Sequence, residues 1–259
     1  MRDVQGDADF RQIPIKQVGI RELRWPVVLK DKAKGTQSSV AKVSMAVDLP
    51  HDIRGTHMSR FVESLQTLEA VYPEALEKVL DSLKERLEAR SAFMTLQFPY
   101  FITKEAPVSG QKSLLDVECT YRAEKAEKLQ LQLKVAVPVH TLCPCSKEIS
   151  RYGAHNQRAT ATIEVETNGF VWIEELVELA ESGGSTAIYP LLKRPDEKWV
   201  TEKAYENPRF VEDAAREIAL QLDHHPRIAR YRVSVDSIES IHNHNAFACV
   251  EKDLKGAAF

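Results

Sequence analysis

The chain has 259 residues, 43% of them hydrophobic and 28% charged, with a formal net charge of −3. That length admits one large domain or two fused small ones, and the composition supplies a core and argues against disorder. The near-neutral balance argues against a basic nucleic-acid surface; a small anionic ligand stays open, because local cations outweigh a global balance. No apolar run approaches the roughly 18 residues of a membrane span. The polar start Met1-Arg2-Asp3-Val4-Gln5-Gly6-Asp7 has no apolar signal region. A cytoplasmic protein with reduced thiols is expected, so Cys119, Cys143, Cys145 and Cys249 read as thiols or ligands, not as a disulfide framework.

In chain order, residues 1–19 read as an irregular leader, and residues 20–29 and 40–49 as strands. In the second strand Val43, Met45 and Val47 alternate with Lys42, Ser44 and Ala46, the period of a half-buried strand. Residues 30–39, polar and containing Gly35, read as the loop between them. Helical spacing follows: Phe61, Leu65, Leu68 and Tyr72, then, after a restart at Pro73, Leu76, Val79, Leu80, Leu83 and Leu87. Strand patterns return over 93–103, 113–122 and 129–139, the last two as a pair. The second half repeats this order. Residues 158–167 alternate as a strand, and 172–182 place Ile173, Leu176, Val177 and Ala180 on one helical face. Asn207-Pro208 has the form of a helix start, with asparagine as cap and proline at the first helical position. Val211, Ala214, Ala215, Ile218, Ala219 and Leu222 give that helix its apolar face, and 228–238 with 246–250 read as a closing strand pair.

The strongest chemical signal is Cys143-Pro144-Cys145, followed by His155. Thiolate and imidazole are ligands that suit zinc and its neighbours. The plainer reading is two small buried hydrophobes and a surface histidine. A structural zinc site brings four ligands in short-spaced pairs, and there is no second cysteine pair here; three protein ligands with an open position fit the inventory better. A second cluster, Asp236-Ser237-Ile238-Glu239-Ser240-Ile241-His242-Asn243-His244-Asn245, follows a strand. Glu239 and His242 there form either a proton-handling pair or a ligand with its supporting carboxylate, against an ordinary polar hairpin. The acidic residues 196–207, with Glu212 beyond them, read first as solvated charge and a helix-dipole carboxylate. Arg54, His57 and Arg60, at the entrance to the first helix, are candidates for a phosphate, against incidental loop charge. No G-x-x-x-x-G-K-[ST] or G-x-G-x-x-G is present, so a P-loop or dinucleotide site is not supported.

Cys143-Pro144-Cys145-Ser146-Lys147-Glu148-Ile149-Ser150 with Gly153-Ala154-His155-Asn156-Gln157-Arg158 resembles the signature of the GTP cyclohydrolase I type IB family, also called the GTP cyclohydrolase IV family. Arg54-Gly55-Thr56-His57-Met58-Ser59-Arg60-Phe61 is similar to that family's first-half motif. Asn207-Pro208-Arg209-Phe210-Val211-Glu212-Asp213 and Glu239-Ser240-Ile241-His242 are similar to its second-half motifs, so the resemblance runs nearly end to end. It implies an α+β tunnelling fold of two tandem strand-strand-helix-helix-strand-strand units with antiparallel sheets. These are assigned to 20–140 and 141–259, the second carrying most of the site. It also implies a homotetramer with interfacial active sites, and one divalent metal per site, zinc, manganese or iron. The implied reaction turns GTP and water into 7,8-dihydroneopterin triphosphate and formate, the first step of tetrahydrofolate synthesis, which also serves modified tRNA bases in some bacteria.

Carried over by the same resemblance, Cys143, His155, Glu197 and His242 are the metal ligands, and Cys143, Glu239 and His242 the catalytic set. Glu212 is the carboxylate that anchors the guanine edge, and His57, Arg60, Lys147 and Arg158 are the phosphate candidates. Cys145 fits the motif without an assigned role. Two rival classes are a thiol-nucleophile enzyme of the same fold, similar to an NADPH-dependent nitrile reductase, and a non-catalytic purine- or pterin-binding metal protein. No nucleic-acid or membrane partner is expected.

Overall fold

The structure, a computed structural model, describes residues 4–254; residues 1–3 of the expected leader and 255–259 at the end of the expected second unit lie outside them. The chain gathers into two compact units. One holds the chain up to Pro99 together with Thr120–Leu133, the other Tyr100–Cys119 and the chain from Lys134 onward.

The first unit opens with β1 (Ile15–Asp31) and β2 (Gly35–Leu49), an antiparallel hairpin. β1 begins five residues before the expected strand and takes in the end of the expected leader. Register shifts between Ile15 and Val18 and between Ile20 and Leu23 break the two-residue period, which hides the strand from a pattern reading. Glu22, in the second irregularity, has φ +62. Gly19 lies so close to β2 that a Cβ would stand 2.0 Å from the Met45 carbonyl oxygen, so any side chain there would push the strands apart. The expected ten-residue loop is a tight turn closed by the Asp31 carboxylate, which accepts from the amides of Ala33 (2.9 Å) and Lys34 (2.7 Å). Gly35 supplies φ +80 where the turn enters β2.

Helices α1 (Ser59–Leu65) and α2 (Pro73–Leu87) follow. Pro73 sits in the first turn of α2, where its missing N–H costs nothing, and Glu88 closes the helix with φ +51. Leu76, Val79, Leu80 and Leu83 of α2 are fully buried, as are Ala41 and Val43 of β2. Each such large apolar side chain contributes about 1.5–3 kcal/mol relative to leaving it exposed. Three further strands, β3 (Ala92–Glu105), β4 (Lys112–Lys125) and β5 (Leu129–Leu142), contribute to both units. The strand order in the first unit is β1-β2-β3-β4-β5.

The second unit adds α3 (Pro144–Ile149), β6 (Asn156–Thr167), α4 (Ile173–Gly183), β7 (Thr186–Ala187), α5 (Arg194–Glu206), α6 (Val211–Leu222), β8 (Ile228–Ser237) and β9 (Ala246–Asp253). Its order is β3-β4-β5-β6-β8-β9, with β7 against β5. β6, β8 and β9 are antiparallel, their inward residues Ala161, Ile163, Val233 and Val235 fully buried. α4 and α6 approach closely at Gly183, where a Cβ would lie 2.7 Å from Ile218 Cγ1.

By element order, β1 to β4 form a strand-strand-helix-helix-strand-strand series. It recurs from β5 to β9 once the short α3 and β7 and the added α5 are set aside. In that order β5, whose range crosses residue 140, is the first strand of the second series. The acidic residues 196–206 lie in α5, and solvated charge describes them except at Asp196, which with Ala204 is buried. Asn207 is not an N-cap. It closes α5, donating from Nδ2 to the carbonyls of Gly184 (3.2 Å) and Ser185 (3.1 Å), and α6 begins four residues later, capped by the Asp213 carboxylate on the Phe210 amide (3.1 Å). Among the described residues no helix is long and apolar enough to cross a membrane.

Candidate active site

Antiparallel pairing brings distant sequence segments to one end of the second unit's sheet. β6 starts where β8 ends, through the pair Ala159 and Ser237, and β9 starts beside the same place, through Ser237 and Ala246. β5 ends there as well, since the Cys143 amide donates to the His155 carbonyl (3.1 Å) just before β6. The Arg209 amide donates to the Leu142 carbonyl (3.0 Å) and draws in the start of α6. A cavity of about 460 Å³ results, lined by Cys143, His155, Glu212, Glu239, His242 and His244, with Thr141, Gln157, Arg209, Phe210 and Ser237 among its walls.

Cys143 is the N-cap of α3, and Pro144 holds the first helical turn. Its Sγ accepts from the Ser146 amide (3.4 Å) and its carbonyl from Ser146 Oγ (3.2 Å); Ser146 Oγ in turn accepts from the His155 amide (3.2 Å). His155 Nδ1 lies 3.0 Å from Gln157 Oε1, an oxygen that can only accept. With the Nδ1 proton directed at that oxygen, the neutral form of the ring leaves Nε2 a lone pair. Gln157 Nε2 donates to Glu239 Oε1 (3.3 Å), and Glu239 Oε2 stands 3.9 Å from His155 Nδ1. The His155 and Glu239 side chains are only 13% and 11% exposed, so this linked pair is shielded from water. The His242 ring stands edge-on to His155, centroids 6.3 Å apart, and stacks on His244 at 5.0 Å.

The structure brings together Cys143, His155, Glu212, Glu239 and His242 of the expected residues. Glu197 is not among the cavity's lining residues; it is exposed in the first turn of α5. Among the described residues no three His, Cys, Asp or Glu side chains are close enough to hold a metal ion, so the expected four-ligand set is not assembled as such in the single chain. Lys147, on α3, donates to the Tyr205 carbonyl and sits 4.3 Å from that tyrosine's ring centroid. Arg158 is exposed on β6. His57 and Arg60 belong to the other unit, where the Arg60 guanidinium donates to the Arg86 carbonyl and Arg54 pairs with Asp7 at 3.4 Å. Cys145 is exposed on α3, and all four cysteines are free thiols.

Sequence reasoning missed Gln157, Thr141 and Ser237. The signal for Gln157 was present: it stands two residues after His155 at the mouth of a strand, hence on the same face. Thr141 and Ser237 are buried hydroxyls at strand ends, indistinguishable in sequence from ordinary strand residues.

A family profile for type I GTP cyclohydrolases FolE2 matches residues 1–248. The GTP cyclohydrolase FolE2 of Thermotoga maritima is 58% identical over 252 residues, 97% of each chain. That of Caldicellulosiruptor saccharolyticus is 56% identical over 251 residues, 97% of this chain and 98% of its own. Among solved structures, the uricase of Arthrobacter globiformis aligns over 100% of this chain and 98% of its own, with a TM-score of 0.54 and 10% identity. The urate oxidase of Bacillus subtilis 168 aligns over 93% and 100%, with a TM-score of 0.54 and 9% identity. At such identities these two show the fold alone, the α+β tunnelling fold with its antiparallel sheet. With the profile and the enzyme relatives matching nearly end to end, the chain belongs to the type I GTP cyclohydrolase FolE2 family.

Proposed function

We infer that the cavity below Cys143 is where this GTP cyclohydrolase I opens the guanine imidazole ring, turning GTP and water into 7,8-dihydroneopterin triphosphate and formate at the start of tetrahydrofolate synthesis. One observation carries the reading: a thiol, three histidines and two carboxylates line a single cavity in a chain of this family. The donor chemistry fits a divalent ion, because Gln157 fixes His155 with its Nε2 free to coordinate. Cys143, His155 and His242, which line the cavity without converging on one point in the single chain, would hold that ion after closing on it, with Glu197 as the further donor the resemblance implies; zinc, manganese and iron all suit such a set. When bound, it supplies Lewis acidity that makes a water acidic near neutral pH.

The chain's own groups do the rest. Glu239, shielded and tied to His155 through Gln157, takes the proton of the water that adds to C8. His242 returns a proton to the ring nitrogen as the C–N bond opens. Glu212, second residue of α6, accepts from N1–H and the exocyclic amine, two bonds a carboxylate makes at once. His57, Arg60, Lys147 and Arg158 are the cations proposed for the triphosphate. The proposal includes a cytoplasmic homotetramer with sites at subunit interfaces, and two tandem repeat units in each chain.

Formate release from GTP, measured with and without oxygen in the presence of zinc, manganese or iron, tests the reading. Metal-dependent formate in step with the pterin product is the expected result. No formate with any of the three metals, or NADPH oxidation by metal-free protein, would sink it.

A further inference from the structure

Ser237 has no part in the roles above. It is the last residue of β8, 1% exposed, and it lines the cavity with Cys143, His155 and Glu239. Its Oγ has no hydrogen-bond partner among the described residues. Directly across the strands stand Ala159 on β6 and Ala246 on β9, neither with a polar side-chain atom to offer. The three form a cross-strand row of small side chains, of which Ser237 and Ala246 line the cavity. A buried hydroxyl without a partner is unfavourable, and most such groups in folded proteins are paired. Alanine would fit the same space without that cost. Around it Thr141 Oγ1 donates to the Gln157 carbonyl (3.5 Å), Gln157 Nε2 to Glu239 (3.3 Å) and Arg209 Nε to Asn207 (3.2 Å), while Arg209 Nη1 faces Glu217 (3.7 Å).

We propose that the Ser237 hydroxyl donates a hydrogen bond to the acceptor edge of the guanine base, its O6 and N7 side, and is a substrate-binding residue of this site. The proposal rests on the reading of the cavity as the GTP site. A carboxylate at Glu212 only accepts, so it answers only the base's N–H edge. The opposite edge presents acceptors alone and needs a donor, and Ser237 holds an unspent one in the same cavity.

Steady-state formate release by S237A, with thermal unfolding measured alongside, is the test. Losing one neutral hydrogen bond raises KM for GTP by about tenfold, with kcat much less affected and the melting temperature at or above that of the unaltered protein. S237C, close in size and a weak donor, falls between the two and decides the matter if S237A does not fold. An unchanged KM in S237A, or in S237C should S237A fail to fold, overturns the proposal and assigns Oγ to the fold. If the unaltered protein releases no formate from GTP, the reading of the cavity falls and this proposal with it. Turnover by the unaltered protein, together with an unchanged KM in the variant, sinks Ser237 alone.

Discussion

Cys143 is held from three directions: its amide on the His155 carbonyl, its carbonyl under Ser146 Oγ and its sulfur under the Ser146 amide. A side chain so fixed loses little freedom when it binds an ion. Removing its sulfur removes a donor without disturbing the backbone bonds that shape α3. C143A should therefore fold, lose turnover below detection and carry less metal, as read by formate assay and metal analysis; an active variant with full metal content would refute the assignment. Glu212 separates from it cleanly. E212A should keep its metal while KM for GTP rises and turnover falls, and unchanged kinetics would remove the anchor role. The reactive residues were legible in sequence because thiols, imidazoles and carboxylates gathered in short motifs advertise their chemistry. Gln157 was marked only by its place two residues after His155, and Ser237 not at all, since a hydroxyl acquires a role only from what stands opposite it. Glu197, a ligand only through the family resemblance, is exposed in the first turn of α5 and is not among the cavity's lining residues.

Asp196 shows how an element is set in place by one buried charge. It is fully buried at the start of α5 and accepts from the amides of Val108, Ser109 and Lys193, each at 2.8 Å, and from Ser109 Oγ at 2.6 Å. Burial pushes its carboxyl upward, but these hydrogen bonds, Ser109's first, outweigh burial and hold it well below the ordinary 3.8. A folded-state value below the unfolded one gives stability that is present above about pH 3.8 and lost as pH falls toward the folded value. D196N keeps the shape and removes the charge. It should melt lower than the unaltered protein around neutral pH, and the gap should narrow as pH drops below about 4. A gap independent of pH would show that the ionised form is not what ties the segment before β4 to α5. In sequence this residue looked like part of a solvated acidic run, because the amides it serves lie far away along the chain. The long regular elements fared better: the leucines of α2 and the alternation of β2 announced themselves by period. β1 did not, since two bulges spoil its alternation, and the asparagine–proline pair that looked like the start of α6 instead closes α5.

At the scale of the molecule, the family resemblance carried both the fold and the chemistry, and the shared order of strands and helices in the two halves agreed with it. The proposed tetramer draws support from the second unit's own surface. β9 is the last strand in its unit's order, and such a strand leaves main-chain groups free to pair. On and just before it, Phe247 is 72% exposed, Ile238 64% and Ile241 63%, and Phe247 also lines the cavity. Exposed apolar side chains beside a cavity are the kind of surface that a further copy of the chain would cover in the proposed tetramer. If copies of this chain are what cover it, closing the cavity and assembling the oligomer are one event. Sedimentation should then give four times the 29.3 kDa chain mass, and specific activity should fall on dilution in parallel with loss of the assembled species. A monomer that retains full specific activity would mean that the cavity of one chain is sufficient, and that the apolar side chains beside it serve something other than catalysis.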